Sequence, residues 1–475
     1  MFLGIYILSA VALSAAILLF RNKYANYFCA ASFLGMQWGL TVDALTRPNS
    51  VELGYFTMDA LGTLFLALLS VVGTISLYYS YLYVEGRNET PKRRSYYLAA
   101  FVMLNASLAC AYLANHVAIS WICVELTTLS SSILIYHRRT EKALEATWKY
   151  IFICSVSVAL IFMGILILGL AMQQARGGEL FYSNLVAVAP KLDQFWLMSA
   201  FLLIFTGFTV KAGLVPMYTA GIDAKDKAPS PIGAMLSSAV LNVGMLGIIR
   251  IYEIVAHTNA RGWASMIMII SAVLSIFISA QYMLRAKNFK RMFAYSSVEH
   301  MGVALVGVAL GGIGAYAALL HIALHSLVKS SLYFQFGTIY RTYKSDLIKD
   351  AGGYFHTNVF GALTVLLAFF MITAIPPSGL FVSEFGIFRA MWESGMAWMI
   401  VIVGILLAFI VWSFGENIFR LLFGNPMETH GRVRSAPAFI EAAPQCALLI
   451  AAIYFGFFPP EFFSNLLSSA AALIQ

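Results

Sequence analysis

The chain has 475 residues, of which 60% are hydrophobic and 11% charged, with a mean hydropathy of +0.81 and a formal net charge of +8. Soluble domains carry roughly a quarter of their residues as charges, so the composition excludes a soluble enzyme and describes an all-α polytopic membrane protein. The positive excess lies in short loops between apolar runs rather than on one face, which marks membrane topology and not a nucleic-acid surface.

At ~20 apolar residues per span, spans are expected at 2–20, 26–45, 56–84, 96–114, 116–136, 147–172, 195–218, 230–252, 263–284, 292–312, 314–341, 357–375, 396–423 and 437–457, with a half-helix at 379–393. The first is expected to be retained, because the stretch before it has no basic segment and Arg21 and Lys23 follow the apolar run. Of the 30 lysines and arginines, 21 fall in loops after odd-numbered spans, the last of them Arg432 and Arg434, and 6 fall on the other side. The positive-inside rule then places the odd loops in the cytoplasm and both termini outside. The other three, Lys149, Lys211 and Lys329, lie within spans. An intramembrane lysine costs roughly 2.5–3.5 kcal/mol even on the lenient insertion scale, so each needs a partner or a task.

The seventh span carries Lys211 and is expected to break at Pro216, which removes an N–H and clashes with the preceding turn. The twelfth is expected to break at Pro376 and Pro377, five spans later and close to Glu384. Broken helices at corresponding positions are the pattern of inverted-repeat transporters with midplane sites. Glu125 in the fifth span and Lys211 form a candidate pair whose proton occupancy follows their separation; a static ion pair is the structural alternative. His321, His325 and Lys329 are spaced i, i+4 and i+8, one slowly turning stripe on the eleventh span. That stripe suits a proton relay or a set of satisfied core groups, and it favours metal less because no carboxylate or cysteine shares it. Lys149 either joins the line or snorkels. Glu299 and His300 form a relay step or a hydrogen-bonded pair, and Glu384 is a relay residue or a helix cap.

Five dispersed cysteines without C-x-x-C spacing indicate neither disulfides nor a metal site. No phosphate-binding signature is present, so ATP hydrolysis is not the drive. Redox chemistry in the chain itself ranks last, since no cysteine or histidine spacing suits an iron–sulfur cluster or haem.

Together, Glu125, the VKAGLVPMYTAGIDA run around Lys211, FKRMFAYSSVEHMG at 289–302, HIALHSLVKSSLYFQFG at 321–337 and PPSGLFVSEF at 376–385 resemble the antiporter-like subunits of respiratory complex I, Mrp-type antiporters and membrane-bound hydrogenases. The resemblance implies about fourteen transmembrane helices forming one domain. Helices 1–3 would occupy 1–95, two inverted five-helix repeats (helices 4–8 and 9–13, with helices 7 and 12 broken) 96–252 and 263–423, and helix 14 437–475. It implies a proton pathway through Glu125, Lys211, His325, Lys329 and Glu384, to which the residue pattern adds His300, His321 and Lys149. Two departures stand out: Asn242 where complex I members commonly carry a lysine, and IDAKDKAPS where a histidine usually follows the broken helix. The AYSSVEHMG spelling, the asparagine and PPSGLFVSEF resemble the hydrogenase-4 component F branch.

The expectation is therefore a non-catalytic, proton-translocating subunit of a group 4 [NiFe] hydrogenase or formate hydrogenlyase in the cell's inner membrane. It would have no cofactor, metal or redox centre of its own. Its expected partners are lipid, further antiporter-like subunits and a soluble hydrogenase or dehydrogenase arm with Fe–S clusters, and not nucleic acid. The alternatives are an Mrp-type sodium/proton antiporter subunit, a complex I pumping subunit, and a scaffold that does not pump.

Overall fold

A computed structural model describes residues 2–87, 89–425 and 439–474. Arg432, Arg434 and the start of the span expected at 437 lie outside the described residues. Helices follow in the order α1 (Phe2–Phe20), α2 (Lys23–Thr46), α3 (Ala60–Glu85), α4 (Pro91–Leu113), α5 (Val117–Ile135), α6 (Glu141–Gln174) and the short α7 (Tyr182–Val188). Then come α8 (Gln194–Ala212), α9 (Thr219–Lys227), α10 (Ser230–Ser237), α11 (Ala239–Ala256), α12 (Arg261–Met283), α13 (Phe289–Leu310) and α14 (Gly312–Tyr343). The chain continues through α15 (Tyr354–Thr357), α16 (Val359–Ile372), α17 (Gly379–Glu393), α18 (Ala397–Phe423), α19 (Phe439–Phe457) and α20 (Glu461–Ala472). The one sheet among the described residues is a hairpin of β1 (Val51–Glu52) and β2 (Phe56–Thr57), so the third span begins later than expected, where Asp59 caps α3 by accepting from the Gly62 amide at 2.9 Å.

Twelve helices among the described residues are long and apolar enough to cross a membrane, with α10 and α11 acting as one. The chain is a multi-pass membrane protein. α2 is too polar to be among the twelve, because it buries Gln37 and Thr41 against Ser70 of α3, where Gln37 Nε2 donates to Ser70 Oγ at 3.3 Å. α16 is too short alone and is followed by α17 after a break. All of α11 and nearly all of α13 are buried, as is the middle of α14, so these helices form the centre. α1, α18 and α19 turn Leu, Phe, Ile and Trp side chains outwards, as Trp412 of α18 does, an arrangement that lipid satisfies.

Several boundaries differ from the sequence expectation for local reasons. The seventh span does not run to 218: α8 stops at Ala212, capped by Gly213 in the left-handed conformation at φ 70°, where glycine has no Cβ penalty. The freed backbone at the break is met by α12, since the Val215 amide donates to Ser275 Oγ at 2.9 Å and the Ser271 hydroxyl donates to the Val215 carbonyl. This is the condition under which a membrane helix tolerates a break. The charged stretch after it forms the helix α9. The eighth span, expected to be continuous, bends at Ser238, whose hydroxyl donates back to Ala234 O at 2.7 Å, a bond that distorts helices without any proline. The twelfth span ends at Ile372, and Ser378 Oγ donates to Met371 O at 3.0 Å across the gap before α17.

α6 begins at Glu141 rather than 147 and, at ~1.5 Å per residue, extends about 51 Å, beyond the ~30 Å hydrocarbon layer. α20 was not expected from the sequence. It is a short amphipathic helix that buries Phe463, Leu467 and Ala470 against α3 and α14.

Candidate functional site

Two buried polar arrays lie on either side of α11. The first is built around Lys211, in the last turn of α8, where a cation also complements the partial negative charge of a helix C-terminus. Lys211 is 3% exposed, and its ammonium donates to Thr128 Oγ1 of α5 at 2.8 Å and to the Tyr150 hydroxyl of α6 at 3.1 Å, lying 5.2 Å from the centre of that ring. The expected direct pair with Glu125 is not formed: no ion pair within 4.0 Å joins the two, and Glu125 Oε2 is buried without a hydrogen-bond partner. Glu125 is half-buried one turn from Thr128, so a hydroxyl stands between carboxylate and ammonium. A shift of either side chain would close the gap.

Lys149 stands apart from this array. Because α6 starts earlier than expected, Glu145 lies one turn before Lys149 on the same helix, and the two pair at 2.5 Å with Asp223 of α9 at 3.8 Å. The Lys149 side chain is 51% exposed. The structure therefore supplies the snorkelling arrangement and does not bring Lys149 to Lys211.

The second array gathers α13, α14 and α17. His321, His325 and Lys329 lie on one helix as their spacing requires, and all three are fully buried. Lys329 donates to Ser296 Oγ at 2.7 Å and to the Phe293 carbonyl at 2.8 Å, both on α13. His300 of α13 reaches across to α14, with its Nδ1 3.1 Å from His321 Nε2, and its ring is centred 5.1 Å from that of His325. Glu384 of α17 brings Oε1 to 3.9 Å from His300 Nδ1, and Glu299 Oε2 lies 3.4 Å from His300 Nε2. His321 Nδ1 bonds Ser383 Oγ at 2.9 Å. The carboxylate that the α14 stripe lacks is thus supplied from a different helix.

α11 joins the arrays. A Cβ on Gly244 would stand 2.1 Å from the Ala212 amide nitrogen and 2.6 Å from the Lys211 carbonyl carbon, so α11 packs on the end of α8 at a distance only glycine permits. Two residues earlier, on the opposite side of the same helix, Asn242 Nδ2 donates to Ser326 Oγ of α14 at 3.1 Å, next in sequence to His325. Asn242 is thus the α11 side chain bonded to the second array, while Gly244 touches the end of α8. The asparagine can pass hydrogen bonds but cannot itself ionise.

Thr128, Tyr150, Ser296, Ser326 and Ser383 were not singled out from the sequence. Thr128 had one available signal, its position three residues after Glu125; the others meet their partners only through tertiary packing. Lys225 of α9 was likewise read only as a loop charge. It is buried, and burial pushes its ammonium down to about 7 from the ordinary 10.5. With the folded value below the unfolded one, the unfolded chain holds the extra proton across this interval, so stability rises with pH from about 7 towards 10.5. Lys225→Met in the full chain is expected to raise the thermal midpoint in detergent at neutral pH, by about 2 °C per kcal/mol recovered. It should also remove this part of the alkaline rise, and a midpoint-versus-pH curve identical to that of the wild type would contradict the assignment.

The sequence signature of the family described as NADH:quinone oxidoreductase/Mrp antiporter, TM matches residues 114–410. A hydrogenase-4 component F homolog of Methylacidiphilum infernorum (isolate V4) is 28% identical over 393 residues, covering 80% of this chain and 82% of that protein. Among solved structures, a chain of the membrane-bound sulfane sulfur reductase, an archaeal respiratory membrane complex, superposes with a TM-score of 0.87 at 20% identity, covering 99% of this chain and 97% of the other. A chain of the Mrp complex from Dietzia sp. DQ12-45-1b superposes with a TM-score of 0.84 at 18% identity, covering 99% and 96%.

Proposed function

Since the chain belongs to the NADH:quinone oxidoreductase/Mrp antiporter membrane family, we propose that it translocates protons as an antiporter-like subunit of a redox-driven complex, of the group 4 [NiFe] hydrogenase or formate hydrogenlyase type. The observation that carries the proposal is the pair of buried arrays, Glu125–Thr128–Lys211 and Lys329–His325–His300–Glu384, with Asn242 and Ser326 between them. Burying that many titratable groups within membrane helices is expensive, and such groups characteristically mark ion or proton pathways. The hydrogenase assignment is supported by the component F homolog and by the resemblance of the AYSSVEHMG and PPSGLFVSEF runs to that branch.

The proposal includes two inverted five-helix repeats, supported by the breaks after α8 and α16, and a place in the plasma membrane with both termini outside, supported by the sorting of basic residues. The partners are further membrane subunits and a soluble redox arm. The test is Glu125→Gln in vesicles carrying the assembled complex. Redox-driven acidification is expected to fall several-fold while electron transfer persists, and unchanged acidification would remove Glu125 from the path. An Mrp-type antiporter reading has the structural likeness behind it. Sodium-stimulated proton flux in vesicles without a redox partner would favour that reading.

A further inference from the structure

We propose that His300, His321 and Glu384 form an intramembrane binding site for a divalent transition-metal ion of the zinc type. His300 Nδ1, His321 Nε2 and a Glu384 carboxylate oxygen all lie within 4.8 Å of one another, with 3.1 Å between the two nitrogens and 3.9 Å from His300 Nδ1 to Glu384 Oε1. Zinc held by bonds of about 2.0–2.2 Å in a tetrahedron separates its ligand atoms by about 3.3–3.5 Å. The observed distances bracket that value, and small side-chain rotations bring all three into range.

The hydrogen-bond pattern around His321 prepares it for ligation. Ser383 Oγ already donates its one proton to Leu380 O at 2.8 Å, so it accepts from His321 Nδ1–H at 2.9 Å. This fixes the proton on Nδ1 and leaves the Nε2 lone pair facing His300. A ligating histidine anchored through its other ring nitrogen is the usual arrangement around protein-bound metals. In the metal-free pattern a proton on His300 Nδ1 fills the 3.1 Å gap, and a metal ion would take the place of that proton.

A separate observation points to a guest at the same place. His325 is fully buried one turn along α14, with its ring beside that of His300, yet neither of its ring nitrogens has a hydrogen-bond partner. An unpaired buried polar group costs roughly 1–3 kcal/mol, and a water held in the open fourth position of a three-ligand metal would give one of these nitrogens a partner. Three protein ligands with one open position is the coordination of an accessible zinc site rather than a closed structural one.

The donor set selects the ion class. Two imidazoles and a carboxylate suit zinc and its first-row neighbours, whereas sodium, magnesium and calcium take oxygen ligands. Glu384 and the adjacent Glu299 together offset a double positive charge. Lys329 opposes it from further along α14, but its ammonium is held on the Phe293 carbonyl and Ser296. The binding claim is independent of the proton-path reading. If that reading also holds, a bound ion plugs the second array.

The test uses purified full-length chain in detergent, titrated with Co2+ as a visible probe and then with Zn2+ as competitor. Expected are about one cobalt per chain with the intense absorption of four-coordinate cobalt, displacement by zinc, and at least about tenfold weaker binding in His321→Gln and Glu384→Gln. His356→Ala, an exposed histidine away from the cluster, should bind as the wild type does. Zinc-edge X-ray absorption on the wild type checks the site without any substitution, and a mixed nitrogen and oxygen shell with two imidazoles is expected. The absence of four-coordinate cobalt, an all-oxygen or sulfur shell, or equal affinity in correctly folded His321→Gln and Glu384→Gln variants would overturn the site. Cobalt binding with zinc-insensitive proton flux supports the site and counts against the proton path.

Discussion

Lys211→Ala in the assembled complex is expected to lower redox-driven proton translocation by at least about tenfold, equivalent to about 1.4 kcal/mol on the limiting step, while assembly and electron transfer continue. Lys211 is the one cation of the first array, and nothing else there can carry its charge: Thr128 and Tyr150 offer hydroxyls, and Glu125 offers the opposite sign. A buried ammonium without a contacting carboxylate is itself costly, so its removal should not threaten folding. The loss falls on two hydrogen bonds, each contributing about 0.5–1.5 kcal/mol net, against the relief of a desolvated charge. Proton translocation, electron transfer and complex yield measured in one vesicle preparation separate these effects. Pumping that persists at the wild-type ratio of protons to electrons would place the path elsewhere.

The parts of this arrangement visible in the sequence are those encoded along a single helix. Lys211 stands out because an ammonium in an apolar run has no cheap explanation, and His321, His325 and Lys329 show their shared face through spacing alone. The breaks after α8 and α16 were announced by Pro216 and by Pro376 and Pro377. The bend at Ser238 had no such signal, since serine back-bonding depends on a rotamer and not on residue type. Contacts between helices were also hidden. Pairing Glu125 with Lys211 followed from opposite charge, but the intervening Thr128 is a matter of packing. His300 looked like a neighbour of Glu299 and proved to be the link from α13 to α14 and α17. Lys149 fell outside the buried line because six more residues at the start of α6 gave it Glu145 as a partner.

These contacts put the weight of the account on Asn242. The two arrays meet where α11 packs on the end of α8 and hydrogen-bonds to α14, and Asn242 is the α11 side chain that bonds the second array. Leucine has the same number of side-chain heavy atoms with the same branching at Cγ, so Asn242→Leu should disturb the packing little. Ser326 keeps its own bond to the Ile322 carbonyl at 2.8 Å, so the substitution orphans no donor. What it removes is the hydrogen-bonding side chain that α11 presents to Ser326.

The measurement is the ratio of protons translocated to electrons transferred in vesicles carrying the complex with Asn242→Leu, assembled at normal yield. A ratio reduced by at least about tenfold with electron transfer intact is expected, because the hydrogen-bonding group that α11 offers to Ser326 is then gone. A ratio equal to that of the wild type would contradict this expectation, showing that the arrays are not joined through α11.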